Sequence, residues 1–371
     1  MRHISDIFLI VTAVAILLLF SCQQEKTSPD FKIEFGKVSR NSVFVNDTMS
    51  IWGGSLAKGE DGLFHMYYSR WPKAPGWVWV SHSEIAHAVS DSPFGPFTFK
   101  EVALPERGEN FWDGSCTHNP TIHKFSGKYY LYYMGNTGDK KILGEPGKSK
   151  LNMLHRNNQR IGVAVANSPY GPWKRFDKPV LDITHNDSLA HDALMTSNPS
   201  VCQMTDGKIL MVYKAVGKKR PMPFGGPVVH CVAIGDSPTG PFRKLPDPVF
   251  VFEGEDFPAE DPYIWYQDGR YRAIVKRIRH VEGKRLFSLV HYDSEDGIHW
   301  NKAKNFEISE RKITWEDGQT QQFDHLERPQ VYFENGEPVA LLCAADTIDE
   351  QGVRHTFNVQ IPLKITKTAE E

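Results

Sequence analysis

One ten-residue phrase occurs three times in this chain. It reads AVSDSPFGPF at 88–97, AVANSPYGPW at 164–173 and AIGDSPTGPF at 233–242, with a looser copy, YDSEDGIHW, at 292–300. Each copy is typical of a β-strand that ends in a turn of Ser, Asp, Pro and Gly, after which an aromatic residue begins the next strand. Such self-similarity indicates a repeat architecture rather than a set of unrelated domains.

A second phrase recurs five times and has the pattern of a β-hairpin: a short apolar strand, a Gly-centred turn and a longer aromatic or β-branched strand. The copies occupy 55–70, 119–135, 198–214, 261–277 and 328–344. Their spacing exceeds the roughly 40–45 residues of a four-stranded blade, which leaves room for loops. No segment has a convincing helical pattern. The sequence therefore predicts an all-β fold, a five-bladed β-propeller over residues 41–366.

Charge and cysteine usage exclude some functions. The net charge is only −2 with 24% charged residues, so no global field attracts nucleic acid or an anionic membrane surface. The cysteines beyond residue 22 lie in or beside apolar strand-like segments without metal-type spacing, which predicts buried free thiols. They are Cys116, Cys202, Cys231 and Cys343.

The N-terminus has the pattern of a targeting segment. Arg2 and His3 precede an apolar run that ends at Phe20, and the residues up to Cys22 resemble a bacterial lipobox. We therefore expect a signal peptide over 1–21 and a flexible tether over 22–40 that begins with a lipidated Cys22. The protein would then be held in the bacterial cell envelope and contact the membrane only through its lipid. An ordinary cleaved signal or a membrane anchor is the alternative.

Two further segments share one skeleton, WDGSCTHNP at 112–120 and HDALMTSNP at 191–199. Each has an Asp six positions before Asn-Pro and a Thr two positions before that Asn. The first strand of each propeller blade lines the central channel, so we expect Asp113 and Asp192 to meet in a funnel at one mouth. Asp47 and Glu255 hold similar places in blades one and four and would complete a ring of carboxylates. The alternative is that these residues are turn or cap residues.

On this blade pattern and on the sequence Glu260-Asp261-Pro262, the chain resembles the five-bladed propeller glycoside hydrolases, above all glycoside hydrolase family 43. The resemblance implies a base Asp in blade one, a pKa-modulating Asp in blade three and a general acid Glu in blade four. Glu260 matches the last of these. It implies activity without a required cofactor on a carbohydrate substrate, and no nucleic-acid partner.

The chain departs from the family at the other two positions. Blade one has Trp52-Gly53-Gly54 and blade three has Asn198 where the family has its aspartates. Either the base has moved to Asp113 or Asp192, with Asp47 behind them, or the protein no longer hydrolyses its ligand. For a relocated base, we expect the carboxyl groups of Asp113, Asp192 and Glu260 to lie within roughly 10 Å of one another.

The chemistry explains these residue types. Cleavage of a glycosidic bond needs a protonated carboxylic acid for the leaving oxygen and a carboxylate that activates water or attacks the sugar. Crowding of carboxylates raises the pKa of one of them, and the resemblance makes Glu260 the acid. The alternative is that Glu-Asp-Pro is only a turn at the start of a strand.

Basic residues recur at equivalent blade positions. Lys214 and Lys276 lie seven residues after a hairpin Gly, and Arg70 and Arg277 lie eight after one. A cationic wall at the mouth would suit a carboxylate or sulfate on the sugar, unless these cations pair with the rim carboxylates. The full set of expected substrate contacts is His118, Asn119, His191, Asn198, Asp261, Arg70, Lys214, Lys276, Arg277, Glu327, Arg328, Trp52 and Trp112.

Two further expectations concern the mouth loops. The tryptophans at 52, 71, 77, 79 and 112 are placed to stack on sugar rings, although some must serve packing. In blade five, the resemblance implies that His325 contacts a central structural calcium or its water.

The sequence thus predicts a lipid-anchored, exo-acting and inverting glycosidase for a plant or algal oligo- or polysaccharide. A glycoside phosphorylase is an alternative, because phosphate can replace water in propellers of this kind. A non-catalytic glycan-binding lipoprotein is the other alternative, which the two missing acids would fit.

Overall fold

A computed structural model describes residues 31–145 and 148–367. The predicted signal peptide and Cys22 lie outside the described residues. Two strands come first, followed by those of blades one and two: β1 Phe31–Phe35, β2 Val43–Phe44, β3 Met49–Lys58, β4 Phe64–Pro72, β5 Glu84–Ser90, β6 Thr98–Leu104, β7 Cys116–Phe125, β8 Lys128–Asn136, β9 Leu143–Glu145, β10 Lys148–Lys150 and β11 Arg160–Ala166. Blades three, four and five follow with β12 Met195–Gln203, β13 Ile209–Val216, β14 Val228–Gly235, β15 Phe242–Val249, β16 Ala259–Gln267, β17 Arg270–Val281, β18 Lys284–Ser294, β19 Asn301–Ser309, β20 Lys312–Thr314, β21 Thr320–Gln322, β22 His325–Glu334, β23 Glu337–Ile348 and β24 Arg354–Lys367.

These strands form five antiparallel blades, so the predicted five-bladed propeller is confirmed. Blades one, three and four are four-stranded sheets in chain order, and blade two has three strands, β7, β8 and β11. The strand pairs β9–β10 and β20–β21 form small separate ribbons. Within residues 31–145 and 148–367, helix is confined to short pieces, α1 Trp79–His82, α2 Met153–Asn157 and a 3-10 turn at Arg40–Ser42. None of the described helices is long and apolar enough to cross a membrane.

The N-terminal strand closes the ring. Blade five consists of β22, β23 and β24, and β1 adds to its outer edge in antiparallel register with β24. Phe31 and Ile33 of β1 are buried, and Ile33 belongs to the core between blades four and five. The predicted tether of 22–40 is therefore wrong from residue 31 onward, because this apolar strand belongs to the propeller. Its short FKIEF sequence carries none of the repeat phrases that marked the blades.

The recurring Ser-Pro-x-Gly-Pro phrase forms the same turn in three blades. In each, the Gly N–H donates to the carbonyl of a Ser three residues earlier, at 3.2, 3.0 and 2.9 Å for Gly95, Gly171 and Gly240. All three glycines have φ near +80°, which a residue with a side chain adopts at a cost. The ten-residue phrase is thus repeated in the sequence because each copy forms the same turn with a Gly of positive φ.

The main hydrophobic clusters each lie between neighbouring blades. The largest joins blades four and five, and similar clusters join blades three and four, two and three, one and two, and five and one. Tyr132 of blade two donates from its hydroxyl to the Pro238 carbonyl in the turn of blade three, at 2.6 Å. The four cysteines after residue 22 are free and buried, as the sequence predicted.

Each innermost strand carries a β-bulge near its start, and the five bulges are equivalent. The register shifts in β3, β7, β12, β16 and β22 at corresponding places. The bulged residue has a left-handed φ of +47° to +57° in every blade. These residues are Gly53, Asn119, Asn198, Asp261 and Arg328. A bulge re-aims the side chains beside it, and here five of them bring their neighbours to one mouth of the channel.

Candidate active site

A cavity of about 360 Å³ opens where the five innermost strands begin. All five blades contribute to its wall. The lining residues are Trp52, Trp71, Trp77, Trp79, His118, Asn119, Leu151, Asn198, Lys214, Phe224, Phe257, Glu260, Asp261, Lys276, Arg285, Phe287, His325, Glu327 and Arg354. It combines aromatic rings with convergent ionisable groups, which is the usual composition of a small-molecule site.

The bulges determine which residues face this cavity. The residue before the bulge lines the cavity in four of the five blades, as Trp52, His118, Glu260 and Glu327. In blade three this position is Ser197, which is fully buried. A period-two strand pattern alone does not single out this position, because the bulge breaks the alternation.

Glu260 lies between two ammonium groups. Its Oε1 accepts a hydrogen bond from Lys214 Nζ and its Oε2 accepts one from Lys276 Nζ, both at 2.7 Å. Lys276 also contacts the carboxylate of Glu327. Burial opposes ionisation of Glu260, but the two lysines outweigh burial and hold the pKa of Glu260 well below its usual range. Glu260 is therefore a carboxylate with no proton to give.

Asp261, the next residue, has the opposite tendency. Burial, and then repulsion from Glu260, raises the pKa of Asp261 to about 6. Its Oδ1 accepts a hydrogen bond from the Asn198 side-chain amide at 2.6 Å. Two adjacent carboxyl groups are thus driven apart in acidity, which is the arrangement that acid–base catalysis needs.

A chain of amides connects Asp261 to blade two. Asn198 Oδ1 accepts from Asn119 Nδ2 at 2.9 Å and from Ser197 Oγ at 2.7 Å. The Asn119 carbonyl accepts from Arg328 Nη2 at 2.8 Å. Each of these residues is more than nine-tenths buried, so the polar centre of the propeller orients Asp261 through fixed donors.

His325 forms a pair with a buried carboxylate. Its Nδ1 lies 3.0 Å from both oxygens of Asp346, which is fully buried and also contacts the Arg354 guanidinium. Among the described residues, His325 Nε2 has no hydrogen-bond partner, and the ring lines the cavity. A His oriented by a carboxylate in this way is suited to proton transfer.

The surroundings of His325 do not fit the predicted calcium. Calcium takes six to eight oxygen ligands, whereas Arg354 Nη1 lies 3.1 Å from His325 Nδ1. Over the chain that the structure describes, no group of three or more His, Cys, Asp or Glu side chains is arranged to hold a metal. The Asp346 carboxylate is instead shared between a histidine and an arginine.

Aromatic rings form the wall on the side of blade one. Trp77 packs edge-on against both Trp52 and Trp71, with ring centroids 5.3 and 5.2 Å apart. Trp79 stacks on His118 at 4.8 Å. Burial, together with Arg328 and Lys214, holds the pKa of His118 well below its usual range. This wall offers uncharged flat surfaces of the kind on which sugar rings stack.

Asp113 does not reach the cavity. It is fully buried and accepts from Tyr133 Oη and Arg107 Nε, both at 2.6 Å, with Arg175 at 3.4 Å. The expectation that Asp113 shares a site with Glu260 is wrong, because two loop arginines, Arg107 before β7 and Arg175 after β11, neutralise it outside the cavity wall.

Asp192 repeats this arrangement in blade three and also lies outside the cavity wall. It accepts from Tyr213 Oη at 3.1 Å and pairs with Lys244 Nζ at 2.5 Å. The Thr of the shared skeleton donates to a carbonyl of the preceding blade, from Thr117 to Leu104 and from Thr196 to Leu181. The skeleton therefore recurs because it fastens the start of an innermost strand to its surroundings, and the predicted ring of carboxylates does not form.

Several predicted substrate contacts also lie outside the cavity wall. Arg70 pairs with Glu84 at 2.8 Å and Arg277 pairs with Glu255. Trp112 stacks on Tyr133. The remaining two are His191, which is partly exposed, and Arg328, which is fully buried beneath the cavity. Sequence spacing placed these residues in the correct blades, but their partners lie elsewhere in the sequence.

Six residues of the cavity wall were not predicted from the sequence. Arg285 and Phe287 lie at the start of β18, on a hairpin that extends beyond the repeated phrase, and Arg354 begins β24. Leu151, Phe224 and Phe257 come from loops between strands. The long hairpin of blade four was the only signal in the sequence that could have pointed to this side of the site.

Comparison with known proteins supports the fold. No protein-family model matches the sequence, and no curated protein matches it. Among solved structures, a family 117 glycoside hydrolase of the marine bacterium Zobellia galactanivorans matches with 18% identity and a TM-score of 0.60, covering 90% of each chain. A thermostable family 43 glycoside hydrolase matches with 15% identity and a TM-score of 0.56, covering 91% of this chain and 98% of that one.

An arabinanase of Bacillus subtilis matches over 84% of this chain and 96% of its own, with 15% identity and a TM-score of 0.53. At these identities the likeness concerns the fold. The chain thus has the five-bladed β-propeller fold of family 117, family 43 and arabinanase-like glycoside hydrolases.

Proposed function

We propose that this protein is an exo-acting glycoside hydrolase and that the cavity at the propeller mouth is its active site. The observation that carries the proposal is the pair Glu260 and Asp261, whose pKa values are displaced in opposite directions within one aromatic-lined cavity. That solved structures of the same fold are glycoside hydrolases supports a glycan-degrading function.

The electrostatics favour a reversal of the roles expected from the resemblance. Asp261 is the group that holds a proton near pH 6 and donates it to the leaving oxygen. Glu260, kept ionised by Lys214 and Lys276, is the carboxylate that activates the attacking water. Separating an acid from a base in this way follows the pattern of known carboxylate pairs.

The size and lining of the cavity support the proposed exo action. A volume of about 360 Å³ lies near the lower end of the roughly 300–1,000 Å³ range of small-molecule pockets, which suits one or two sugar units. Trp52, Trp77 and Trp79 supply stacking surfaces beside the two carboxyl groups. A chain end enters such a pocket more readily than the middle of a polymer.

The test begins with a panel of plant and algal oligosaccharides, incubated with and without phosphate and followed by product analysis. On a cleaved glycoside, Asp261→Asn and Glu260→Gln should each reduce turnover by about 10² to 10⁴. An aryl glycoside whose leaving group needs no proton should spare Asp261→Asn and not Glu260→Gln. Asp47→Asn, an exposed carboxylate outside the cavity, is the control and should keep normal turnover.

The outcomes separate the competing roles. If the activated substrate spares Glu260→Gln instead, Glu260 is the acid and Asp261 is not. Proton NMR of the first-formed anomer should show inversion, which the family resemblance implies. Cleavage that requires phosphate would show that the enzyme is a phosphorylase and not a hydrolase.

A non-catalytic glycan-binding protein is the second candidate. Gly53 and Asn198 occupy the positions where family 43 has two of its three acids, and this observation favours loss of catalysis. Tight binding of a glycan that is never cleaved, with or without phosphate, would establish that candidate and exclude the hydrolase.

A further inference from the structure

The basic residues that the sequence predicted as an anion-binding wall are all engaged. Lys214 and Lys276 hold Glu260, and Arg70 and Arg277 hold Glu84 and Glu255. A cation that is already neutralised by a fixed carboxylate adds little to the binding free energy of a further anion. These four side chains therefore do not select an anionic sugar.

Arg285 differs from them. It lines the cavity from the start of β18, is exposed, and extends over the rings of Phe257 and Phe287, with its Cζ 5.8 and 5.3 Å from their centroids. Within residues 31–145 and 148–367, the structure gives Arg285 no carboxylate partner. Phenyl rings hold a guanidinium in place without neutralising it.

Two further groups share this side of the cavity. His325 packs against Phe287, with ring centroids 5.3 Å apart. Arg354 contacts Asp346 and lies over the Trp77 ring, 4.7 Å from its centroid. We refer to this side of the cavity as the basic wall, formed by Arg285, His325 and Arg354. The buried carboxylate of Asp346 lies behind His325 and Arg354.

The other charges of the cavity are matched. Lys214 and Lys276 face Glu260 and Glu327, and Arg354 faces Asp346. Among the described residues, the guanidinium of Arg285 is the cation of this wall without a carboxylate partner. It is exposed, so a ligand in the cavity can reach it.

We propose that the basic wall binds an anionic substituent of the glycan, a carboxylate or a sulfate ester, with Arg285 as its main contact. This inference rests on the proposed function, since it names the substrate class of the same cavity. Arginine presents a planar fork of N–H donors that matches either group in a bidentate manner. The sugar ring would then lie between this wall and the tryptophans of blade one.

Binding without turnover tests this inference. Isothermal titration compares neutral sugars with their charged counterparts: galactose with galacturonate and galactose 6-sulfate, and glucose with glucuronate. Inorganic phosphate and sulfate are titrated alone. At least one charged sugar should bind about tenfold or more tightly than its neutral counterpart, as one charge-assisted hydrogen bond allows. Added salt should reduce this preference.

The variants identify the residue responsible. Arg285→Gln should remove the preference for the charged sugar, and Arg285→Lys should retain part of it. Lys284→Gln is the matched control, because it removes a neighbouring charge that points to the other face of β18 and does not line the cavity. It should leave the preference unchanged.

Three results would overturn the inference: equal binding of every charged and neutral pair, a preference that survives Arg285→Gln, or inorganic phosphate that binds at Arg285 and supports cleavage in place of water. Failure of the proposed function looks different. A charged sugar that binds through Arg285 in a protein that cleaves no glycan would refute hydrolysis and leave this inference intact.

Discussion

The side chain of Arg328 occupies the space that a side chain at position 53 would need. A Cβ on Gly53 would lie 2.9 Å from Arg328 Cγ, and Gly53 has a φ of +51°. Arg328 comes from blade five and donates to the Asn119 carbonyl of blade two, so it crosses the axis. The glycine of blade one and the buried arginine of blade five are thus one structural feature. A larger side chain at position 53, including a carboxylate, would have no room.

Gly53→Ala is therefore expected to destabilise the protein by about 1–3 kcal/mol, from the left-handed backbone and the contact with Arg328. Arg328→Ala removes Cγ, so the cost of Gly53→Ala should be smaller in that background. Urea unfolding of the two single variants and the double variant measures this coupling. Strictly additive costs would show that the backbone conformation, and not Arg328, requires glycine at this position.

Asp113 should matter for stability and not for catalysis. Asp113→Asn keeps an acceptor for Tyr133 but leaves Arg107 and Arg175 without their buried counter-charge. Breaking such a pair costs about 3–5 kcal/mol. Asp177→Asn is the control, because Asp177 contacts the same Arg107 at 3.5 Å from an exposed position. This substitution should lower the free energy of unfolding only slightly. A Kd for glycan and a turnover that stay normal below the melting temperature support this role, whereas a hundredfold loss of turnover in a folded Asp113→Asn would restore Asp113 as the base.

The closure of the ring by β1 gives another stability test. Ile33→Ala leaves a cavity between blades four and five, which should cost about 2–4 kcal/mol. Lys32→Ala, an exposed neighbour on the same strand, should change the free energy of unfolding by less than about 0.5 kcal/mol. Amide exchange in β24, the partner of β1, should increase selectively in Ile33→Ala. Equal exchange in all blades would mean that β1 is not the closing strand in solution.

The fold was readable in the sequence because its signals are local. A turn that needs a left-handed Gly repeats as Gly95, Gly171 and Gly240, and each hairpin shows its own glycine and alternation. The site was readable where it coincides with the repeat, as at Glu260, Lys276 and His118.

Pairings between distant segments were not readable. Asp192 is neutralised by Lys244 from the outer strand of its blade, and no spacing rule relates the two. Arg285 was not predicted because the hairpin of blade four continues past the repeated phrase. The strand β1 was not predicted because its five residues contain no turn signal. An aspartate at a strand start has the same sequence signature whether its partner is a substrate or a buried lysine.

The pH dependence of Asp261 links stability to catalysis. Its pKa of about 6 lies above the ordinary value of 3.8, so the folded protein holds this proton more tightly than the unfolded chain. The free energy of unfolding should therefore fall as pH rises from about 4 through 6. Asp261→Asn cannot lose a proton, so its free energy of unfolding should not fall over this range. Above pH 6 it should exceed that of the native protein by up to about 3 kcal/mol. Glu260, with its lowered pKa, affects stability only at lower pH.

Activity should follow the same group. If Asp261 is the proton donor, kcat/KM on a natural glycoside decreases above an apparent pKa near 6, which belongs to the coupled Glu260–Asp261 pair. With an aryl glycoside that needs no proton, kcat/KM should not decrease above this pH. Asp261→Asn should then be more stable than the native protein at pH 7 and still inactive on natural glycosides. Unfolding curves and rate profiles from pH 4 to 8 measure both effects. A variant that is less stable at pH 7, or a rate profile flat across pH 6, would contradict the raised pKa on which the proposed mechanism depends.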